Sequence, residues 1–449
     1  MHLIPPCDRS CYEDTSGVVS CFGQATVLDR INDHPSTLAM LSSLYVDFNS
    51  YFASVEQQEH EQYRGKPIAV VPVMADTTCA IAASYEAKRF GVRTGTIIGD
   101  AKKMCPDLIL VPARHGKYIE YHNRLVEAVE SAVHVRRVMS IDEMVCDLTG
   151  SARQRAKAEA IALDVKKAIA DKVGPYMKCS IGIAPNDFLA KTASDLQKPD
   201  GLVVIEREDL PHILYSMELR DICGIGRNMH KRLWKHGIYT VEMLCNAPKE
   251  KLHAVWGGIE GDRFWAKLRG EQVPFNEPNK TTVGHSHVLP PRLRTQESAD
   301  GVMHRLLQKA AMRLRKYGLL TANLDVRVRY VAGDRWKCDM DLTPTQDIVQ
   351  LTGALARMFE QRPVHDGAPF FVAVSLNKLI PAGMAPVPMF EHTGPSREAL
   401  NTTIDKLNLK YGRNTVYLGG AHNALDSAPM RIAFTHIPDV EIDDEEEDE

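Results

Sequence analysis

The sequence predicts an α+β fold. Three observations carry that expectation: short apolar stretches of strand character alternate with longer stretches of helical period, acidic residues fall at strand ends, and no segment repeats. Residues 1–40 lack periodicity and are rich in turn formers, so they read as a disordered N-terminal extension, with Met40 an alternative start. Residues 44–47 then form a short buried strand and 50–58 a helix. The apolar runs 68–73 and 80–83 pair as strands, glycines at 91, 95 and 99 break up the next segment, and 108–111 is another strand. Ile119, Leu125, Val126, Val129 and Val133 share one helical face. Residues 135–148 are β-rich, 152–172 make a long amphipathic helix, 179–183 a strand and 186–197 a helix. Character changes at 219–247, which is helical around a glycine hairpin. A polar, proline-bearing linker spans 271–282. The last region mixes strands at 323–331 and 370–376 with helices at 299–317 and 348–361.

At ~100–200 residues per domain, 449 residues make three or four domains. No apolar run approaches the ~20 residues of a membrane span, and the N-terminus has no basic stretch leading into an apolar core. A cytoplasmic protein without a membrane partner is expected. The ten cysteines form no paired framework and read as reduced thiols, and Cys7, Cys11 and Cys21 match no zinc spacing. The net charge of −4 hides an uneven distribution. Residues 439–449 carry nine acids and no base, so the remainder is +5, and 284–437 holds 19 Lys/Arg against 13 Asp/Glu. A basic C-terminal region followed by an acidic tail suits phosphate binding with a solvated appendage.

The chemistry sits in two short segments. Asp47 closes the apolar strand in Tyr45-Val46-Asp47-Phe48, where an unpaired carboxylate is costly. A metal ion or a helix N-cap would each answer that cost. Ser140-Ile141-Asp142-Glu143 places adjacent acids inside an apolar strand pair, where like charges repel unless cations bind between them. A surface hairpin with exposed acids is the other reading. Three hard oxygen donors suit Mg²⁺, and two such ions can clamp the attacking and leaving oxygens of an in-line displacement.

The segments 46–56, Ala82-Ala83-Ser84-Tyr85-Glu86-Ala87-Lys88-Arg89-Phe90-Gly91-Val92, Ser140-Ile141-Asp142-Glu143, Ser180-Ile181-Gly182-Ile183-Ala184, Leu189-Ala190-Lys191 and Lys198-Pro199-Asp200-Gly201 resemble, in order, the Y-family DNA polymerases. The likeness is strong over 44–247 and weaker to 437. It implies a right hand: a ferredoxin-like palm (41–57 and 117–215), small fingers (58–116), a helix-hairpin-helix thumb (216–276), a linker (277–283), an α+β little finger with the C-terminal region (284–437), and the acidic tail (438–449). It also implies low-fidelity, template-directed addition of dNTPs to a primer past damaged bases.

Carried over residue by residue, the resemblance makes Asp47, Asp142 and Glu143 the catalytic carboxylates. They hold two Mg²⁺ ions, with Mn²⁺ able to substitute, and the Phe48 backbone carbonyl adds a ligand. Phe52 is the steric gate against a 2′-hydroxyl; its alternative is ordinary helix core. Tyr51, Tyr85, Lys88, Arg89 and Lys198 bind the nucleotide. Lys88 stands where the family usually has arginine, which grips phosphate in a fork; Arg89 is the residue expected to compensate. Met144 and Cys146 also depart from the usual pattern.

Gly224-Ile225-Gly226-Arg227, with Lys231, looks like a phosphate-binding hairpin, and Arg313, Arg315, Arg327 and Arg329 are further DNA contacts. Val387, Met389 and Phe390 resemble a sliding-clamp peptide without its leading glutamine. Expected partners are primer–template DNA, dNTPs, the sliding clamp and other DNA-damage-response proteins, with the enzyme a monomer at the bacterial nucleoid. Two alternatives stand beside the polymerase: a catalytically silent accessory factor, which would be expected to lose the carboxylates, and a nucleotidyl cyclase, whose Gly-Gly-acid-Glu-Phe turn is absent.

Overall fold

The computed structural model describes residues 41–275, 279–364, 367–384, 397–412, 414–427 and 432. The clamp residues Val387, Met389 and Phe390, the extension 1–40 and the acidic tail fall outside the described residues.

The chain begins with β1 (Ser43–Phe48), every residue of which is buried, and turns through Ser50 into α1 (Tyr51–Glu59). Ser50 holds φ +50 with no side-chain cap, and the Ser54 hydroxyl donates to the Asn49 carbonyl at 2.6 Å across the turn. A small three-stranded sheet follows, built from β2 (Ile68–Val71), β3 (Ala82–Ala83) and β4 (Ile109–Pro112) in the order β3-β2-β4. Between β3 and β4 lie α2 (Tyr85–Arg89), capped by the Ser84 hydroxyl, and α3 (Ile98–Met104). Gly91 and Gly95 break the chain at positive φ as expected, but Gly99 lies inside α3, where its missing side chain does not stop the helix.

Helix α4 (His115–Glu130) leads to the hairpin β5 (Val135–Ser140) and β6 (Glu143–Asp147), then α5 (Arg155–Lys172), β7 (Cys179–Ala184), α6 (Asp187–Leu196) and β8 (Leu202–Val204). These strands form one sheet, β5-β6-β1-β7-β8. Side chains alternate across β1. Leu44, Val46 and Phe48 join Met144, Cys146, Ile181 and Ile183 in a core covered by α4 and α5. Tyr45, Val145 and Ala184 pack on the other face against Leu189, Ala190 and Ala193 of α6. Burying each large aliphatic side chain contributes about 1.5–3 kcal/mol, so β1 is anchored from both faces. Met144 and Cys146, the two departures after the acidic pair, are therefore core residues facing α4 and α5.

Beyond this sheet, Gly224 turns the chain at φ +85 into α7 (Arg227–Lys235), which Gly226 caps. Among the described residues the segment before that turn is a 3-10 turn and irregular chain, so α7 has no leading α-helix. The paired helices are instead α9 (Lys249–Trp256) and α10 (Ile259–Leu268), reversed through Gly257 and Gly258 and preceded by the short α8 (Val241–Cys245). The last region carries β9 (Thr282–Val288), α11 (Gln296–Lys316), β10 (Leu319–Tyr330), β11 (Arg335–Thr345), α12 (Ile348–Glu360), β12 (Pro369–Pro381) and α13 (Arg397–Tyr411). Its sheet runs β11-β10-β12-β9, with α11 and α12 on one face. Strand β9 starts two residues inside the expected linker.

Candidate active site

Backbone register assembles the acids. Strand β1 lies between β6 and β7, and Asp47 stands opposite Glu143 on one side and Ser180 on the other. Asp142 occupies the turn between β5 and β6, and the amide of Phe48 donates to its carbonyl at 2.9 Å. The hairpin turn is thereby clamped to the end of β1. Asp47 does not cap α1, since the N-cap is Ser50. The acids line a cleft of about 550 Å³ together with Phe48, Tyr51, Phe52, Lys88 and Lys198. Residues from four separate stretches of sequence thus converge in one place.

Two lysines sit among the acids. Lys191, on α6, contacts Asp47, Glu143 at 2.9 Å and Asp195 at 3.1 Å. Lys198 reaches Asp47 at 2.7 Å and Asp195 at 2.8 Å. Burial works against the Lys191 charge, but Asp47, Glu143 and Asp195 outweigh it and raise its pKa. Asp142 carries the opposite imbalance. Burial, with Glu143 and Asp47 adding repulsion, pushes its carboxyl up to about 6, against the hydrogen bond that Ser140 donates at 2.6 Å.

These residues suit a divalent cation in kind. They supply three hard oxygen donors, and Asp142 feels negative charge that its surroundings leave uncompensated. Among the described residues no three acid, histidine or cysteine side chains already stand in a ligating arrangement. Lys191 fills the space between Asp47 and Glu143, so an ion there requires its ammonium to withdraw.

The other predicted residues divide. Phe52 lines the cleft, half-buried, with its ring stacked on Tyr118 at 4.5 Å. Lys88 lies over the Tyr85 ring at 4.4 Å, and burial followed by the Lys198 charge lowers its pKa. Burial, with Asp47 and Asp195, pushes Tyr85 up to about 12. Arg89 is exposed and absent from the cleft wall, because one residue along α2 turns it about 100° away; it cannot compensate for Lys88 from there. Tyr51 borders the cleft but is largely buried, and its hydroxyl donates to the Tyr118 carbonyl at 2.5 Å, so that hydroxyl ties α1 to α4.

Gly224, Gly226, Arg227 and Lys231 are exposed around the start of α7. Arg313 is half-buried in the last turn of α11. Arg315 is a correction: it makes a bidentate pair with Asp405 of α13 at 2.6 and 2.7 Å and donates to the Gln346 carbonyl, a tie within this region and not a surface contact. Arg327 and Arg329 do alternate on the open sheet face, and Lys337 and Arg335 stand opposite them on β11.

Sequence reasoning missed several contributors. Asn49 donates to the Ser180 hydroxyl at 3.0 Å and accepts from the Asp200 amide at 2.8 Å, which fixes the loop bearing Lys198 against β1. Lys191 lies in the Leu189-Ala190-Lys191 motif, which by itself does not signal its contacts with Asp47 and Glu143. Ile432 lines the cleft, its amide donating to His115 Nδ1 at 3.4 Å; nothing local in its sequence signals this.

Comparisons with known proteins follow the same lines. Residues 46–195 match the model of the impB/mucB/samB family, and 280–386 match that family's C-terminal domain. A DNA polymerase IV of Moorella thermoacetica is 30% identical over 385 residues, covering 84% of this chain and 95% of that one. A DNA polymerase IV of Shewanella sp. (strain MR-7) is 33% identical over 284 residues, 61% of this chain and 76% of the relative. Among solved structures, a Y-family polymerase chimera of Dbh and Dpo4 superposes with a TM-score of 0.62 at 24% identity, covering 76% of this chain and 99% of that one. An insertion ternary complex of Dbh DNA polymerase gives 0.50 at 25% identity over the same shares. By these matches, spread across both the acidic cleft and the C-terminal sheet, the chain belongs to the Y family of DNA polymerases, the enzymes of translesion synthesis.

Proposed function

We propose that Asp47, Asp142 and Glu143 are the carboxylates at which this polymerase joins a dNTP to a primer end. The observation that carries the reading is the register: Asp47 opposite Glu143, with Asp142 in the adjoining turn, all in the cleft that holds Lys88, Lys198 and Phe52. Two Mg²⁺ ions, or Mn²⁺ in their place, would be held by these three side chains and the Phe48 carbonyl, and when bound would activate the primer hydroxyl and neutralise the triphosphate. Lys88 and Lys198 take the phosphate charge, with Tyr85 supporting the Lys88 ammonium. Lys191 holds Asp47 and Glu143 in place until it yields to the incoming charge. Phe52 supplies the ring that would meet the sugar at its 2′ position.

In the same reading the five-stranded sheet with α4, α5 and α6 is the palm. The three-stranded sheet is the fingers, α7–α10 the thumb, and the four-stranded sheet with α11 and α12 the little finger. Primer–template DNA lies along Arg227 and Lys231 and across Arg327 and Arg329. The bacterial nucleoid is then its place of work. Clamp binding through Val387, Met389 and Phe390 rests on the sequence motif alone, and contacts to other damage-response proteins on the family resemblance.

The test is Mn²⁺ binding to the enzyme with primed DNA and a non-hydrolysable dNTP, followed by electron paramagnetic resonance. Alanine at Asp47, Asp142 or Glu143 is expected to weaken binding by at least about tenfold, since even an outer-shell partner is worth roughly 10–100-fold in metal affinity. Unchanged binding in all three variants would remove the metal role.

A further inference from the structure

The wall behind Phe52 is built from a polar network that the polymerase reaction itself does not call for. Phe52 and Glu56 lie one turn apart on α1, and so on the same face. Both bind one residue of α4, Tyr118. The Phe52 ring stacks on the Tyr118 ring with centroids 4.5 Å apart and planes 20° apart. The Tyr118 hydroxyl donates to Glu56 Oε1 at 2.8 Å. Glu56 is fully buried, and Arg114, just before α4, grips it with two bonds of 3.1 and 2.7 Å. From the other side, the Tyr51 hydroxyl holds the Tyr118 backbone carbonyl, and the His115 ring meets Phe52 edge-on at 6.4 Å.

Phe52 lines the cleft, whereas Tyr118 is fully buried behind it. Anything Tyr118 does to a bound sugar is therefore done through the Phe52 ring. Hydrophobic packing alone would need no hydroxyl here and no buried charge. A carboxylate taken fully out of water is retained only with strong partners, and Glu56 has Arg114 and Tyr118. A near-parallel stack fixes the plane of one ring by the plane of the other, and the Glu56 bond stops the second ring from turning or sliding.

We propose that Tyr118, locked by Glu56 and Arg114, is the positioning residue for sugar selection: it sets the depth and plane at which the Phe52 ring meets the 2′ carbon of the incoming nucleotide. This rests on Phe52 being the sugar gate. A gate ring that can recede by a fraction of an ångström admits a hydroxyl that a fixed one rejects. Discrimination against an added hydroxyl thus depends on the stiffness of the backing as well as on ring size.

The experiment measures kcat/KM for single insertions of dCTP and CTP opposite a template guanine. The ratio of the two does not depend on the fraction of enzyme that is folded. Phe52→Ala checks the gate itself and is expected to raise CTP relative to dCTP about 100-fold or more. Tyr118→Leu, which removes the stack, is expected to raise the ratio about tenfold while kcat for dCTP stays within about threefold. Tyr118→Phe and Glu56→Gln keep the shape and loosen the lock, with an expected rise of about two- to fivefold, the worth of one hydrogen bond.

If Phe52→Ala raises the ratio and Tyr118→Leu leaves it at the wild-type value, Tyr118 is plain core and the proposal is overturned. It is equally overturned if Tyr118→Leu lowers both insertions in parallel. Should Tyr118→Leu not fold, Tyr118→Phe decides, and an unchanged ratio there overturns it. A Phe52→Ala ratio equal to wild type would remove the gate reading, and this proposal with it.

Discussion

Replacing Asp142 by asparagine is predicted to stabilise the metal-free protein while abolishing synthesis. Burial, with repulsion from Glu143 and Asp47, raises this carboxyl from 3.8 to about 6. A shift of about two units is worth about 3 kcal/mol at ~1.4 kcal/mol per unit. The raised value means that the native state holds the proton more tightly than the unfolded chain. The penalty is thus fully present above about pH 6 and disappears as pH falls below the unfolded value near 4. Asparagine keeps an acceptor for the Ser140 hydroxyl and carries no charge. In chelator at pH 8 the variant should unfold about 2–3 kcal/mol later than wild type, a rise of roughly 5–10 °C for a domain of this size. At pH 4 the two should coincide. Urea and thermal unfolding at both pH values, with and without Mg²⁺, are the assay. Added Mg²⁺ should stabilise wild type more than the variant, by linkage. An asparagine variant less stable than wild type at pH 8, or an advantage equal at both pH values, would refute the reasoning.

Other consequences follow from the same contacts. Gly182→Ala places a Cβ 1.9 Å from the Ala190 carbonyl and 2.4 Å from the Ser194 amide, so α6 must leave β7, at about 3 kcal/mol or more in urea unfolding. A loss under about 1 kcal/mol would mean that the helix does not sit there. Lys88→Ala should raise KM for dNTP at least about tenfold, whereas Arg89→Ala should leave it near wild type in steady-state insertion. Arg315→Ala should destabilise the C-terminal region by about 2–4 kcal/mol, since Asp405 loses its partner, without changing how DNA affinity varies with salt. Arg327→Ala and Arg329→Ala should each flatten that salt dependence by about one unit of slope in fluorescence-anisotropy titrations.

The centre of the fold was legible because β1 is buried on both faces, which makes 44–46 an apolar run closed by Asp47, and because acids in such places are conspicuous. Asp47 and the Asp142-Glu143 pair could be found from local sequence; their meeting could not. It depends on the register of β1 with β6, which no local signal writes. Asn49 and Lys191 act across 131 and 144 residues, so their partners stay hidden until the sheet forms. Strand β11 escaped because its outward positions are Arg335, Lys337, Asp339 and Asp341, and a charged alternation reads as loop. Arg315 misled in the opposite sense: a basic turn at a helix end looks like a DNA contact until Asp405, 90 residues away, folds against it. Arg89 misled through adjacency, since neighbours on a helix face different ways.

The most direct test of the central claim is primer extension on a defined template with Mg²⁺ and all four dNTPs, wild type beside Asp142→Ala, with DNA affinity measured for both. Extension by wild type that falls at least about 1000-fold in the variant, at equal DNA affinity, is the predicted result. Extension that survives the substitution would contradict the assignment of Asp142, and with it the account of how this cleft works.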